Sequence, residues 1–163
     1  MDLALHILVW GGFLTLGSFV ILMGSWVVDP KIWAADLGAP KEMQNYTAGI
    51  ITVILLFAIQ LPIMAFSIKE YQLMAPHISF WFGSLIAYLV FQVFNLADLF
   101  IFNLADLFIF DWLIYMKLKP KFMVPDYLPT AFDFSKHAKD SLNGLVIGIF
   151  PALLSAVIWY FLL

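Results

Sequence analysis

The sequence contains no cysteine and no arginine. Without cysteine, neither a disulfide framework nor a thiolate metal site can form. Charge of either sign is scarce. Only 12% of residues are charged, against about a quarter in a soluble domain. The eight basic residues are all lysine, the net charge is -3, and no basic cluster runs along a polar helix. That pattern argues against nucleic acid as a partner. Also missing are a phosphate-binding Walker loop, H-E-x-x-H, G-x-S-x-G and a dinucleotide fingerprint. The paired broken spans of secondary transporters are absent too. The expectation is a chain with no cofactor and no metal.

What the chain has is apolar surface: 64% of its 163 residues are hydrophobic and the mean hydropathy is +0.98. A chain this short cannot bury that much in its own core. The excess must face lipid. Four apolar stretches stand out, over about 3–28, 48–67, 78–116 and 144–163. A membrane span needs about 20 residues, so three are ordinary and the third is nearly twice the needed length. MDLALHILVW lacks a positively charged region and a small-residue cleavage site, so it reads as a retained first span. Pro30, Gly38 and Pro40 punctuate loop one, KEYQLMAPH forms a short loop two, and Pro120, Pro125 and Pro129 break loop three. Ser135 is placed to cap a short helix over KHAKDSL within loop three. Trp10, Trp26, Trp33, Trp81, Trp112 and Trp159 lie mostly near span ends, where an aromatic belt places them. Pro151 predicts a kink in the fourth span.

Lysine placement sets the expected orientation. Lys31, Lys41, Lys117, Lys119, Lys121, Lys136 and Lys139 lie in loops one and three, and Lys69 alone lies on the other side. The positive-inside rule then puts loops one and three in the cytoplasm and both termini outside. A five-span arrangement, with the third stretch folding back near Asp98, leaves the lysines less lopsided. No glycine or proline lies between Leu85 and Lys119 to form that hairpin, so four spans are preferred.

The third stretch holds a tandem copy of FNLADLFI, over 94–101 and 102–109. Solenoid periods start near 20 residues, so this is no fold-level repeat. An identical copy points to a recent in-frame duplication or an artificial insertion. In an α-helix it adds about 12 Å and rotates the downstream residues by about 80°. If the helix starts near Ile78, Asp98 lies about 30 Å along it, at the far hydrocarbon boundary. Asp106 and Asp111 then fall among headgroups or beyond. On an unbroken α-helix Asn95, Asp98, Asn103 and Asp106 share a face roughly 140° wide, with Asp111 about 80° further round. That suits an amphipathic helix at the cytoplasmic interface or docked on its neighbours.

Asn95, Asp98, Asn103, Asp106 and Asp111, with His137, are the candidate polar cluster. Its structural use is to orient the helix and pair with loop lysines. Its chemical use is a proton or cation relay, or a pair of aspartates sharing a proton. Aspartyl intramembrane peptidases share only the N-x-x-D phrase, and here the second aspartate is much closer. His6 and His77 both fall near the outer surface, where water satisfies a histidine. Their chemical alternative is haem ligation. His137, among Lys136, Lys139 and Asp140, reads as solvated. Gly144 and Gly148 form G-x-x-x-G at the start of the fourth span, and Gly17 and Gly24 are one heptad apart in the first. Such glycines let helices approach closely, within one bundle or, as the alternative, between copies in a homo-oligomer.

The run NLADLFIFDWL, then PKF, then FDFSKHAKDSLNGL resembles a group of small bacterial four-span integral membrane proteins of unassigned function. Asn103, Asp106, Asp111, Trp112, Pro120, Phe122, Phe132, Phe134 and Lys136 carry the resemblance over about a third of the chain. The Gly-rich phrase expected after P-x-F is missing, and Asp133 stands where those proteins have histidine. The resemblance implies four spans and a bacterial cell membrane, and it supplies no activity.

These readings converge on an all-α integral membrane bundle, residues 1–163 as one domain, with four transmembrane helices and an unusually long third. The bilayer is its partner. Two functions remain in view. One is a non-enzymatic accessory or small-solute-handling component. The other is a membrane-embedded enzyme acting on a lipid or lipid-anchored substrate at the cytoplasmic face, drawing on Asp106, Asp111 and loop three.

Overall fold

The computed structural model describes residues 2–29, 32, 45–102, 117 and 134–163. Among them the chain is helical, with no strand. Helix α1 runs Leu3–Val28, α2 Tyr46–Met74 and α3 Phe80–Ala97. A wider π-helical segment, Asp98–Phe102, continues α3. Helix α4 covers Phe134–Ile147 and α5 Ile149–Leu162. Among the described residues four helical stretches are long and apolar enough to cross a membrane: Leu3–Ser25, Tyr46–Met74, Phe80–Phe100 and Leu142–Leu162.

Local chemistry explains where three helices start. Asp2 accepts a hydrogen bond from Leu5 N at 2.8 Å, Asn45 from Ala48 N at 3.1 Å and Ser79 from Phe82 N at 3.2 Å. Each satisfies one orphan donor of a first helical turn. Asn45 also donates to Asp29 Oδ2 at 2.7 Å, tying the end of α1 to the start of α2.

Three sequence expectations change. Residues 68–74, expected beyond the second stretch and mostly in loop two, are the last turns of α2. Staying helical gives the backbone N–H groups there intrahelical partners, a gain that polarity alone does not register. The short helix expected at KHAKDSL joins the fourth span. The chain passes from α4 to α5 through Gly148, with Gly148 N bonded to Gly144 O at 2.9 Å and Ala152 N to Gly148 O at 3.2 Å. The interruption at Gly148 follows from Pro151, which has no N–H to offer the Ile147 carbonyl and crowds it. Third, the α-helical register of the third stretch ends at Ala97. A π-helical turn, which holds more residues than an α turn, follows to Phe102, and the remaining residues of the expected polar face, Asn103, Asp106 and Asp111, lie outside the described residues. The length of the third helix beyond Phe102 lies outside the described residues.

Helices α1, α2, α5 and α3 occupy successive corners of the bundle, with α2 and α3 also touching across it. Its interior is small where helices meet: Ala65, Gly83, Ser84, Ala87, Ala152, Ser155 and Ala156 are buried. Leu14, Met64, Ile68, Ile86, Val90, Phe91 and Trp159 fill the rest. Leu8, Phe13, Leu16, Ile50, Phe66, Val146 and Phe150 point outward and exposed. Small residues inside and large apolar ones outside is the pattern of helices packed in lipid.

The glycines mark the tightest approaches. A methyl group on Gly144 would collide with the Asn95 side chain, one on Gly148 with Phe91 and Gln92, and one on Gly11 with Val93. On Gly17 it would meet Ile59 Cγ2 at 3.0 Å. These glycines therefore pack within the bundle. Gly24 does not: among the described residues nothing lies within 4 Å of its would-be Cβ, and it is exposed. Its spacing suggests a shared face with Gly17, but seven residues further along, that face has left the contact.

Gly148→Ala is expected to destabilise by about 1–3 kcal/mol, the usual cost of overpacking. Gly12→Ala, which meets nothing within 4 Å, is expected to be neutral or to stabilise by up to about 1 kcal/mol through helix propensity. Unfolding both variants by denaturant titration in mixed micelles checks the difference.

Candidate functional site

Among the described residues the buried polar side chains are His6, Ser18, Thr52, Gln60, Ser67, Ser84, Asn95 and Ser155. Several hydroxyls bond back to their own helix: Thr15 donates to Gly11 O at 2.8 Å, Thr52 to Ala48 O at 3.0 Å and Ser84 to Phe80 O at 3.0 Å. Two contacts of this set cross between helices, Gln60 with Ser18 and His6 with Ser67 O, and both lie in one seam. Thr52, Gln60, Ser67 and Tyr71 repeat at helical spacing and place a partly polar stripe on α2. His6, Trp10 and Ser18 face it from α1.

Halfway along the seam, Gln60 Nε2 donates to Ser18 Oγ at 3.0 Å, with both side chains buried. At the end where α1 begins, a denser cluster forms. His6 is fully buried. Its Nε2 lies 2.9 Å from Ser67 O, and its Nδ1 lies 3.6 Å from Glu70 Oε2. The Trp10 indole donates to the same Glu70 oxygen. The Tyr71 ring meets the imidazole edge-on, with centroids 5.2 Å apart. Beside this cluster, Trp159 Nε1 donates to Gln72 Oε1 at 3.1 Å, and Lys69 Nζ to Leu163 O at 2.6 Å. One end of the bundle is thus laced through α1, α2 and α5 by polar contacts. Between the two parts of the seam, Leu14 and Met64 are completely buried and form an apolar plug.

Asn95 and Asp98, the members of the expected polar cluster with side chains among the described residues, lie at the opposite end. Asn95 is buried against Gly144, and its Nδ2 donates to Gln92 Oε1 at 3.1 Å. Asp98 is partly buried and opens the π segment, with its backbone N–H shared between Asn95 O and Phe94 O. Asn103, Asp106 and Asp111 lie outside the described residues, as does the side chain of His137. The gathering of Asp106, Asp111 and His137 required by the enzyme reading therefore lies outside them too.

Two expectations are corrected by burial. His6 is not an interfacial histidine served by water. The continuation of α2 past Ser67 covers it and supplies a carbonyl and a carboxylate. Trp159 is not a belt residue: it is packed in the core, whereas Trp81 is 74% exposed as a belt residue should be. His77 is exposed in the link between α2 and α3.

Sequence reasoning missed Gln60 and Glu70. Gln60 carries a signal: it is the one amide in an otherwise apolar stretch, and an isolated polar residue inside a span usually seeks a partner helix. Glu70 carries none, because 69–77 reads as a loop. Comparisons with protein-family models, curated proteins and solved structures find no match for this chain.

Removing one partner of the Gln60–Ser18 bond leaves a buried polar group unsatisfied, at a cost of about 1–3 kcal/mol. Ser18→Ala and Gln60→Leu are each expected to destabilise. The double variant is expected to recover part of the loss, with a coupling of about 0.6–1.7 kcal/mol as found for bonds between membrane helices. A double-mutant cycle in bicelles measures it.

Proposed function

We propose that the chain is a non-enzymatic multi-pass membrane component that handles a small polar solute along the seam between α1 and α2. The observation that carries this reading is the distribution of polar groups along that seam. Asn45 and Asp29 lie at one end, Ser18 and Gln60 near the middle, and His6, Ser67 and Glu70 at the other. Polar side chains are costly inside a membrane and tend to mark paths for ions and solutes. In the conformation described, Leu14 and Met64 close the seam. Passage requires a second state in which α1 and α2 part there, populated as a minor member of the ensemble.

In this proposal the lysine-rich loops one and three face the cytoplasm of a bacterial cell, so the His6–Glu70 end faces outward. The carboxylates at and beyond Asp98 then lie at the cytoplasmic boundary, where they orient the third helix or gate access to the bundle.

The chain has no native cysteine, so single cysteines report cleanly. Ser18→Cys is expected to react with a small, water-soluble methanethiosulfonate reagent in native membranes. Leu16→Cys, on the lipid-facing side of the same turn, is expected to stay protected. Glu70→Cys provides the exposed reference. If Ser18→Cys stays unmodified under conditions that fully modify Glu70→Cys, water does not reach the seam and the solute path is wrong.

A further inference from the structure

The His6–Glu70 contact has a defect in its proton count. A backbone carbonyl oxygen only accepts hydrogen bonds. His6 Nε2, 2.9 Å from Ser67 O, must therefore carry a hydrogen. In a neutral imidazole that leaves Nδ1 as a bare lone pair. Nδ1 is buried and has no hydrogen-bond partner. The nearest polar atom it faces is Glu70 Oε2 at 3.6 Å, which in a carboxylate is also only an acceptor. Two acceptors thus face each other, the imidazole nitrogen buried and the carboxylate at the rim, at a separation just beyond hydrogen-bond range. One proton satisfies both. The Trp10 indole donates to that same oxygen, which suits an ionised carboxylate and places the added proton on the imidazole.

The surroundings define how the proton arrives. The His6 side chain has no exposed surface, while that of Glu70 is 48% exposed. Glu70 is therefore the door and His6 the seat. Tyr71 and Trp10 wall the imidazole, with ring centroids 5.2 and 6.3 Å away. Inward, Leu14 and Met64 separate it from Ser18 and Gln60, about 18 Å further along α1, so the site opens on one side only. Other charged or titratable groups near this end are few. On α1 there is Asp2, engaged with Leu5 N. On α2 there are Lys69, bonded to Leu163 O, and Tyr71. His77 is exposed in the following link. Helix α3 offers only Tyr88, which donates to Leu145 O, and α5 only the exposed Tyr160.

We infer that His6 and Glu70 form a proton-binding site, loaded from the aqueous face through Glu70, in which one proton held between His6 Nδ1 and Glu70 Oε2 fastens α1 to α2. Loading takes one proton from water and breaks no other covalent bond. The unloaded state leaves two lone pairs opposed and weakens the α1–α2 contact. The site goes beyond the solute path and stands without it.

The test uses 15N-histidine-labelled full-length protein in lipid bilayers, with His77→Gln and His137→Gln so that His6 alone reports. Its ring nitrogens are followed from about pH 5 to 8, where an imidazole exchanges its proton. Expected at the alkaline end is the neutral ring with hydrogen on Nε2 and none on Nδ1. Expected on acidification is a single step to the doubly protonated ring. In Glu70→Gln the amide donates to Nδ1 in place of the added proton, so proton affinity falls at least about tenfold while Nε2 keeps its bond to Ser67. A wild-type ring carrying its neutral hydrogen on Nδ1, a ring that never takes the second proton, or a step unchanged by Glu70→Gln would each overturn the proposal. The wild-type tautomer decides on its own if the variant does not fold.

Discussion

Lipid tails are as apolar as leucine, so burying leucine against another helix gains little in a bilayer. Every contact that holds these helices together must come from something else. The chain uses two devices. Glycine, alanine and serine on α3 and α5 bring backbones close enough for dense dispersion contacts. A few polar side chains reach across seams where the alternative is an unsatisfied group in hydrocarbon. The large apolar side chains are left to face outward. This inversion of a soluble core sets where everything else lies, including the polar seam between α1 and α2.

The seam depends on α2 being longer than the membrane. Its 29 residues span about 43 Å, against a hydrocarbon core of about 30 Å. The extra turns carry Lys69, Glu70, Tyr71 and Gln72 without interrupting the helix. Because they remain helical, Glu70 falls one turn from Ser67 on the face toward α1, and Gln72 reaches Trp159 on α5. Had the chain turned at Ser67, His6 would have met water and needed no partner. Burial of that imidazole follows from helix length, and its proton requirement follows from burial.

The all-α, four-helix architecture is legible in the sequence because hydropathy and span length are enough to decide it. Glycine spacing is legible in part. Gly144 and Gly148 are used as their spacing suggests, because four residues keep a side chain on one face. Gly17 and Gly24 are not used alike, because the contact ends between them. The end of α2 is misleading, because Lys69 and Glu70 look like loop residues when polarity alone is weighed. The pairing of His6 with Ser67 is not legible at all, since a backbone carbonyl leaves no trace in composition. The α-to-π change at Asp98 is equally silent.

Close backbone approach is the claim on which the bundle rests, and its sharpest instance is Gly11 on α1 against Val93 on α3. The absence of native cysteine makes a direct measurement available. Gly11→Cys with Val93→Cys places two thiols across that contact; the added Cβ comes closer to Val93 Cβ than the about 3.8 Å of a relaxed disulfide, so bridging requires α1 to move outward slightly. Oxidised mildly in native membranes, this pair should cross-link within the chain, while Gly12→Cys with Val93→Cys should not. Equal cross-linking of the two pairs, or none in the first, would contradict the packing of α1 on α3.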